Sequence, residues 1–336
     1  APMANNDPHG DIKTALQHAG RLLQQQPLLA EQQAQEILKI KPDLDPALHI
    51  LAAAYRFQGK IDDALDIMVP LAARHEKSAP ILLELGLCFM ANGQTRGAIK
   101  MIRKAVNLVP EHSEAWRILA LLHHQLKDDK NAEKATQKYL DILKKNPEII
   151  RASELFESGK LAEAEELTRS IVKMQQTDVV AARLLAEIAL KIGRLGDAKE
   201  LLAHCIELAP AYHHARHNYA VALYRKQELE EAFEQIDMLI KLDGHTLKTV
   251  GRIDDAVRAY RKCIEVSPNI GETYWSLANL KTFRFSDDDL DNMLAQVIPK
   301  GGDPDDQGHL AFAIGKAYED RKEFDKSFEF YQRGND

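Results

Sequence analysis

Phe57–Ala64 has the sequence FQGKIDDA and Ala91–Ala98 has the sequence ANGQTRGA, and these two stretches decide the fold. In each of them a glycine stands five positions before an alanine, and the whole pattern returns after one fixed interval. A glycine suits a tight turn between two helices, and a small residue lets the second helix pack closely on the first. The small residue recurs at nearly the same interval further along the chain, at Ala132, Ala164, Ala198 and Ala232.

This period and these residue types resemble the tetratricopeptide repeat (TPR), in which each repeat is a pair of helices A and B. The resemblance predicts an all-α fold, a right-handed superhelical solenoid of antiparallel helix pairs. Counting back from the small residue, we predict that A helices begin at Asp11, Asp45, Ala79, Ser113, Lys145, Val179 and His213. Prolines are expected to end several B helices, at Pro42, Pro110, Pro210 and Pro268.

The period is broken once, because Ala256 follows Ala232 well before a full repeat is complete. We therefore predict an irregular region at 237–256, with residues missing around Asp243 and Gly244. The array is expected to span 11–270, after a tail at 1–10 that is disordered or derived from an expression vector.

Residues 271–336 are predicted to form further TPR-like helices. We expect one A helix in GETYWSLANLKTFRF (Gly271–Phe285), and then a helix start that is capped by Ser286 and rich in aspartate. A final pair is expected to begin near His309. Its packing positions would be occupied by Gly315, Tyr318 and Ser327.

Composition limits the function classes. Lys and Arg number 44 against 51 Asp and Glu, and a net charge of −7 disfavours binding to nucleic acid. The chain has neither a signal-peptide pattern nor an apolar run long enough to cross a bilayer, so we expect no membrane insertion. The three cysteines are far apart and lack CxxC spacing, which predicts no zinc site and favours the reducing cytoplasm.

The inner faces of A helices in such an array line a groove that binds protein or peptide. Fixed positions of each A helix predict the groove residues, and many of them are basic or titratable. Leu83 and Leu190 interrupt this cationic stripe, which would attract an acidic partner. The predicted groove residues are His49, Arg56, Arg117, His124, Arg183, Glu187, Lys191, His217, Asn218, Tyr224 and Arg225.

No metal site is predicted. His213, His214 and His217 share a helix face, but no carboxylate or cysteine stands at ligand spacing beside them, so a structural or groove role is favoured. Cys205 and Cys263 stand at a position of helix B that is normally buried and small, and we expect both in the core.

YWSLANLKTFRFSD (274–287) and the sequence HLAFAIGKAYEDRKEFDKSFEFYQRGN (309–335) resemble the segment that joins TPR arrays to the catalytic domain of bacterial TPR-sulfotransferases. The resemblance covers 244–336. It implies a substrate-presenting region, followed after Asp336 by a domain that transfers sulfuryl from 3′-phosphoadenylyl sulfate (PAPS), often to tyrosine. A partner that is acidic and contains tyrosine would suit that role.

The sequence contains no catalytic constellation, and no residue is assigned to catalysis or to PAPS. The leading hypothesis is a protein-binding and substrate-presenting scaffold. One alternative is that the full-length protein is an active PAPS-dependent sulfotransferase, and another is a stand-alone assembly adaptor. An incomplete terminal repeat would also leave an apolar edge that a second copy could cover, which predicts self-association.

Overall fold

The computed structural model describes residues 8–228, 271–280, 283–297 and 304–335, together with single positions between them (231, 232, 234, 235, 238, 239, 257, 260, 261, 264, 265 and 268). Within these residues the chain forms seventeen α-helices and no strand. The expected all-α class is therefore confirmed. The predicted irregular region at 237–256, the break at Asp243 and Gly244, and Cys263 lie outside the described residues, apart from 238 and 239.

The chain divides into two compact units, of which unit 1 comprises Ala1–Ile192 with Glu200–Tyr212, and unit 2 comprises Gly193–Lys199 with His213–Asp336. The helices of unit 1 are α1 (Pro8–Leu22), α2 (Pro27–Ile40), α3 (Asp45–Phe57), α4 (Ile61–Arg74), α5 (Ala79–Ala91), α6 (Thr95–Leu108), α7 (Ser113–Gln125), α8 (Asp129–Leu143), α9 (Pro147–Glu157), α10 (Leu161–Met174) and α11 (Val179–Lys191). Residues of α12 (Leu195–Leu208) belong to both units.

The helices of unit 1 pack in consecutive pairs, α1 with α2, α3 with α4, and so on to α9 with α10. The periodic alanines lie where the two helices of a pair meet, and each is at most 1% exposed: Ala64, Ala98, Ala132 and Ala164. Such close contact leaves no room for a larger side chain. At Gly86 in α5 even a Cβ would lie 2.5 Å from Cγ1 of Ile102 in α6.

Four of the predicted A helices in unit 1 start at the predicted residue: Asp45, Ala79, Ser113 and Val179. Two starts differ. The helix predicted from Lys145 begins at Pro147, because Asn146 caps it by accepting a hydrogen bond from the amide of Glu148 at 3.0 Å. The first helix begins at Pro8, so 8–10 form a helical turn, not a tail; proline suits a first turn.

In the pairs from α3 with α4 to α9 with α10, the turn between the two helices has one residue in the left-handed region. The φ angle is +77° at Gly59 and +73° at Gly93, and it is +56° at Lys127, where a lysine takes the place of the glycine. In unit 2, Gln227 and Lys322 have φ +64° and +61°. The fold thus imposes this conformation even on residues with a Cβ, for which it costs about 1–2 kcal/mol.

Replacement of Lys127 by glycine is therefore expected to raise the free energy of unfolding by about 1 kcal/mol, because the steric cost of the Cβ is removed. The control is Lys138→Gly, which changes an exposed lysine within α8 and is expected to lower stability by about 1 kcal/mol. Urea denaturation of both variants measures the difference. Equal destabilisation by both glycines would contradict this account of the turn.

A hydrogen bond ties α8 to the start of α11 across the intervening pair. The Tyr139 hydroxyl donates to the carbonyl of Thr177, and Tyr139 is 1% exposed. The next residue, Asp178, caps α11: its Oδ1 accepts from the amides of Val180 at 3.1 Å and Ala181 at 2.9 Å. The second oxygen, Oδ2, is buried with no hydrogen-bond partner among the described residues.

Burial raises the pKa of Asp178, and the two amide hydrogen bonds oppose the rise without cancelling it. The folded chain then binds this proton more tightly than the unfolded chain does. The contribution to stability is complete below the unfolded-state pKa and is lost as the pH rises through the folded-state pKa.

For Asp178→Asn we expect the free energy of unfolding, relative to the parent protein, to increase from about pH 3 to about pH 7. The asparagine keeps an oxygen for the helix cap and has no charge to bury. Denaturation curves at several pH values test this. A difference between the two proteins that does not change with pH would contradict it.

Unit 2 contains α13 (His213–Arg225), α14 (Gly271–Ala278), α15 (Asp287–Ala295), α16 (Pro304–Asp320) and α17 (Phe324–Asn335). The predicted start at His213 is confirmed. The predicted capping of α15 by Ser286 is confirmed as well, because its hydroxyl accepts from the amide of Asp289 while the Asp289 carboxylate accepts from the amide of Ser286.

Two predicted boundaries in unit 2 are wrong. The helix expected over Gly271–Phe285 ends at Ala278, since 283–286 are non-helical and lead into the cap of α15. The last pair begins at Pro304, ahead of His309, because proline and two aspartates suit a first turn. Its predicted contacts are confirmed: the hydroxyl of Ser327 donates to the carbonyl of Gly315 at 2.9 Å.

The close approach of α14 to α16 depends on a glycine. A Cβ added to Gly271 would lie 1.8 Å from the carbonyl oxygen of Asp306, and the Gly271 amide donates to the Asp306 carboxylate at 3.0 Å. Beside this contact, the rings of Trp275 and Phe312 are 5.3 Å apart between centroids. Within the core of unit 2, α14 and α16 thus meet at a close backbone contact.

Candidate functional site

None of the predicted groove residues is fully buried. In unit 1, His124 and Lys191 are exposed and the others are half-buried: His49, Arg56, Arg117, Arg183 and Glu187. The opposite positions of the same helices are core, such as Ala52 in α3 and Ala186 in α11, both 0% exposed. Apart from Leu190, which is 9% exposed, these positions of the A helices thus keep their side chains accessible. We call the accessible positions of α3, α5, α7 and α11 the A-helix face.

Arg56 and Glu84 join α3 to α5 on this face. Nε of Arg56 donates to Oε1 of Glu84 at 2.6 Å and Nη2 donates to Oε2 at 3.3 Å. The two side chains are 16% and 9% exposed. The guanidinium also lies 4.4 Å from the centroid of the Phe57 ring. Arg56 is therefore fixed by a carboxylate and an aromatic ring before any ligand arrives.

His49 lies near this pair. Burial lowers its pKa, Arg56 lowers it further, and Glu84 acts in the opposite direction. A histidine with a lowered pKa is mostly neutral at neutral pH. His49 therefore adds a polar but uncharged group to this part of the A-helix face.

Arg117 and Arg183 are paired too. Nε of Arg117 donates to Glu114, one turn earlier in α7, at 2.9 Å. Arg183 donates through Nη1 to Glu187 and through Nε to the Tyr212 hydroxyl at 2.7 Å. Burial raises the pKa of Tyr212 to about 12, so the phenol is neutral at neutral pH.

These pairs change the electrostatic interpretation of the predicted cationic stripe. Each of its three arginines in unit 1 has a glutamate of the same chain as partner. Glu84 and Glu114 were absent from the predicted set. The spacing of Glu114 and Arg117, i and i+3, could have revealed one pair. The partner of Arg56 is 28 residues away and has no local signal.

The face of α5 between these pairs is apolar. Leu83 and Leu87 are partly buried, Met90 is 37% exposed, and their spacing of four and three residues places them on one side of the helix. Glu84 is the only charged residue among the thirteen of α5. We call Leu83, Leu87 and Met90 the α5 face. Leu83 was predicted merely to interrupt the stripe.

Lys191, at the end of α11, lies over Phe156 of α9, with Nζ 4.2 Å from the ring centroid. The predicted groove residues of unit 2 lie on α13. His217 and Asn218 are half-buried, with Nδ1 of the histidine 3.5 Å from the amide oxygen of Asn218. Tyr224 is half-buried and Arg225 is exposed.

Other chemistry is limited within the described residues. They contain no group of three or more His, Cys, Asp or Glu side chains placed to hold a metal ion. Cys88 and Cys205 are free thiols with 0% exposure, and burial raises the pKa of each to about 12, so both are unreactive core residues. The core position expected for Cys205 is confirmed.

The sequence piece closest to a phosphate-binding turn, 333–335, lies within α17. Among the described residues, no helix has both the length and the apolar character needed to cross a bilayer.

The helices of unit 1 form an array of consecutive pairs, in which one side of the A helices is accessible and the other is core. Residues 83–147 and 183–246 match one family model described as tetratricopeptide repeat, and 244–270 match another with the same description. The chain therefore contains tetratricopeptide repeats, as the sequence pattern predicted.

Similar proteins include the TPR protein TTC0263 of Thermus thermophilus, which is 20% identical; the match covers 63% of this chain and 99% of that one, with a TM-score of 0.39. YrrB, described as a TPR protein with an unusual peptide-binding site, is 15% identical over 68% of this chain and 97% of its own, with a TM-score of 0.34.

A curated relative is the human protein O-mannosyl-transferase TMTC1, which is 24% identical over 191 residues. The match covers 55% of this chain but only 22% of the human protein. The chain thus spans about a fifth of the length of this relative.

Proposed function

We propose that this chain is a protein-binding scaffold that holds a segment of a partner polypeptide along the A-helix face of unit 1. The observation that carries the proposal is the regular accessibility of that face: no predicted groove residue on it is fully buried, while the other side of the same helices is core. A surface that repeats from helix to helix suits an extended ligand.

The proposal is tested with a random peptide library displayed on phage and selected against the purified chain. An enriched peptide is then synthesised with a photoreactive benzoylphenylalanine, and the crosslinked residues are identified by mass spectrometry. We expect crosslinks to residues of the A-helix face, such as His124 and Lys191, both exposed. Exposed residues of B helices, such as Lys173 in α10, are the internal control.

Two results would reject the scaffold function. The first is a selection that enriches no peptide at all. The second is crosslinking confined to B helices, which would place the ligand on the other side of the array.

The finer role, presentation of substrates to a sulfotransferase domain, is also a proposal. The resemblance of 244–336 supports it, and no residue of this chain is given a catalytic part in it. The polypeptide encoded by the whole reading frame should transfer labelled sulfuryl from PAPS to an acidic peptide that contains tyrosine. Absence of transfer would favour the stand-alone adaptor.

A cytoplasmic location, supported by the free thiols of Cys88 and Cys205, belongs to the same proposal.

A further inference from the structure

We infer that the α5 face binds a large apolar side chain of a peptide with little net charge, not an acidic segment. This inference rests on the proposed scaffold function and names the chemistry of its ligand. It concerns Leu83, Leu87 and Met90 together with the neighbouring Arg56 and Glu84 pair.

The first argument is the composition of α5. A helix that is apolar on all sides is normally buried on all sides. Yet α5, with the sequence APILLELGLCFMA, keeps Met90 37% exposed and leaves Leu83 and Leu87 partly exposed, while Leu82 and Leu85 on its other sides are at most 5% exposed. The accessible apolar surface is concentrated on the A-helix face, where a ligand could cover it.

The second argument is that the charges around this surface are already neutralised. Arg56 makes two hydrogen bonds to Glu84, and the carboxylate is nearly buried. An acidic ligand would have to displace Glu84 from Arg56 and leave that carboxylate without its cation, which is unfavourable in a partly desolvated place. Arg117 and Arg183 are likewise held by Glu114 and Glu187. Charge complementarity therefore favours a neutral ligand.

The third argument is an exposed aromatic ring on α3. The Arg56 guanidinium contacts both the Glu84 carboxylate of α5 and the Phe57 ring of α3. Phe57 is 43% exposed. A ligand that covers Arg56 would therefore also meet an aromatic ring. Partly exposed aromatic and methionine side chains are common anchoring surfaces for peptides.

The experiment uses the peptides selected from the phage library. We expect enrichment of Leu, Ile, Met, Phe or Trp at one position and no excess of Asp or Glu. Affinity should change less than twofold when salt is raised from about 0.05 M to about 0.5 M, because few charges are involved. Met90→Gln should weaken binding by about tenfold, which corresponds to the loss of one apolar contact.

Met174→Gln is the matched control, since Met174 is 86% exposed at the end of α10, outside the A-helix face, and should leave affinity unchanged. Thermal unfolding of both variants shows whether the fold is intact. If Met90→Gln is destabilised, the parent protein labelled with carbon-13 at its methionine methyl groups is used instead. The methyl resonance of Met90 should then shift when the peptide is added.

The outcomes separate this inference from the scaffold function. Three results would overturn the apolar site but not the scaffold function. They are enrichment of acidic peptides, a steep loss of affinity with salt, and unchanged binding by Met90→Gln together with a Met90 resonance that does not shift. Failure to enrich any peptide would overturn both.

Discussion

Arg56→Ala is expected to lower the free energy of unfolding by about 3 kcal/mol. The substitution removes the cation that makes two hydrogen bonds to Glu84, and the glutamate is 7% exposed. An unpaired carboxylate in that position cannot reach bulk water fully. The groups left beside it are the weak donor Cys88, at 3.9 Å, and His49, whose pKa is lowered by burial. Urea denaturation followed by circular dichroism measures the loss.

The control is Arg74→Ala. Arg74 also pairs with a carboxylate, that of Asp45 at 3.1 Å, but the two side chains are 52% and 34% exposed. Exposed pairs contribute between about 0 and 1 kcal/mol, so little loss is expected. The double variant Arg56→Met with Glu84→Leu should recover most of the stability, because it removes both charges together. Equal losses for Arg56→Ala and Arg74→Ala would show that Glu84 does not depend on its partner.

Gly271→Ala is expected to destabilise unit 2 by about 3 kcal/mol. The added Cβ would lie 1.8 Å from the carbonyl oxygen of Asp306 and 3.0 Å from the amide nitrogen of Leu310. Both atoms belong to the backbone of α16, so no side chain can rotate away to make room. Either α14 moves away from α16, or the hydrogen bond from the Gly271 amide to Asp306 is lost.

Hydrogen exchange locates this effect. Amides of α14 and α16 should exchange faster in the variant, whereas those of α3 to α6 in unit 1 should be unchanged. Gly196→Ala is the control, because a Cβ at Gly196 would meet nothing within 4 Å. Alanine there favours the helix by up to about 1 kcal/mol. Unchanged exchange in α14 and α16 of Gly271→Ala would refute the steric argument.

The repeat period predicted most of the helices, for a physical reason. Ala64 and Ala98 stand where two helices nearly touch, and steric exclusion there admits only small residues. The repeat pattern in the sequence is weaker where other contacts hold the turn between the helices in the same conformation without a glycine. Lys127 occupies the left-handed turn position that glycine fills at Gly59 and Gly93, so counting glycines alone would miss that repeat.

The candidate site was predicted less completely. The A-helix positions follow from the period, and none of the predicted groove residues is buried; that they bind a ligand stays a prediction. The pairing of their charges does not follow from the period, because Arg56 and Glu84 meet only after two repeats have stacked. The sequence pattern therefore gave the positions of these side chains but not their pairing: in the structure Arg56, Arg117 and Arg183 are each hydrogen-bonded to a glutamate.

The hydrogen bond from Tyr139 to Thr177 bears on how this array can open. In a simple solenoid each repeat couples only to its nearest neighbours, so an internal pair can unravel while the flanking repeats stay folded. Here the flanking repeats are joined to each other across α9 and α10, by partners 38 residues apart in the chain. If α9 and α10 unfold while the flanking repeats stay folded, their residues form a loop that is held at both ends. Such a loop gains less conformational entropy than an unfolded segment whose ends are not joined. The shortest A helix of unit 1, α9, is therefore protected from local unfolding by a hydrogen bond between the repeats on either side of it.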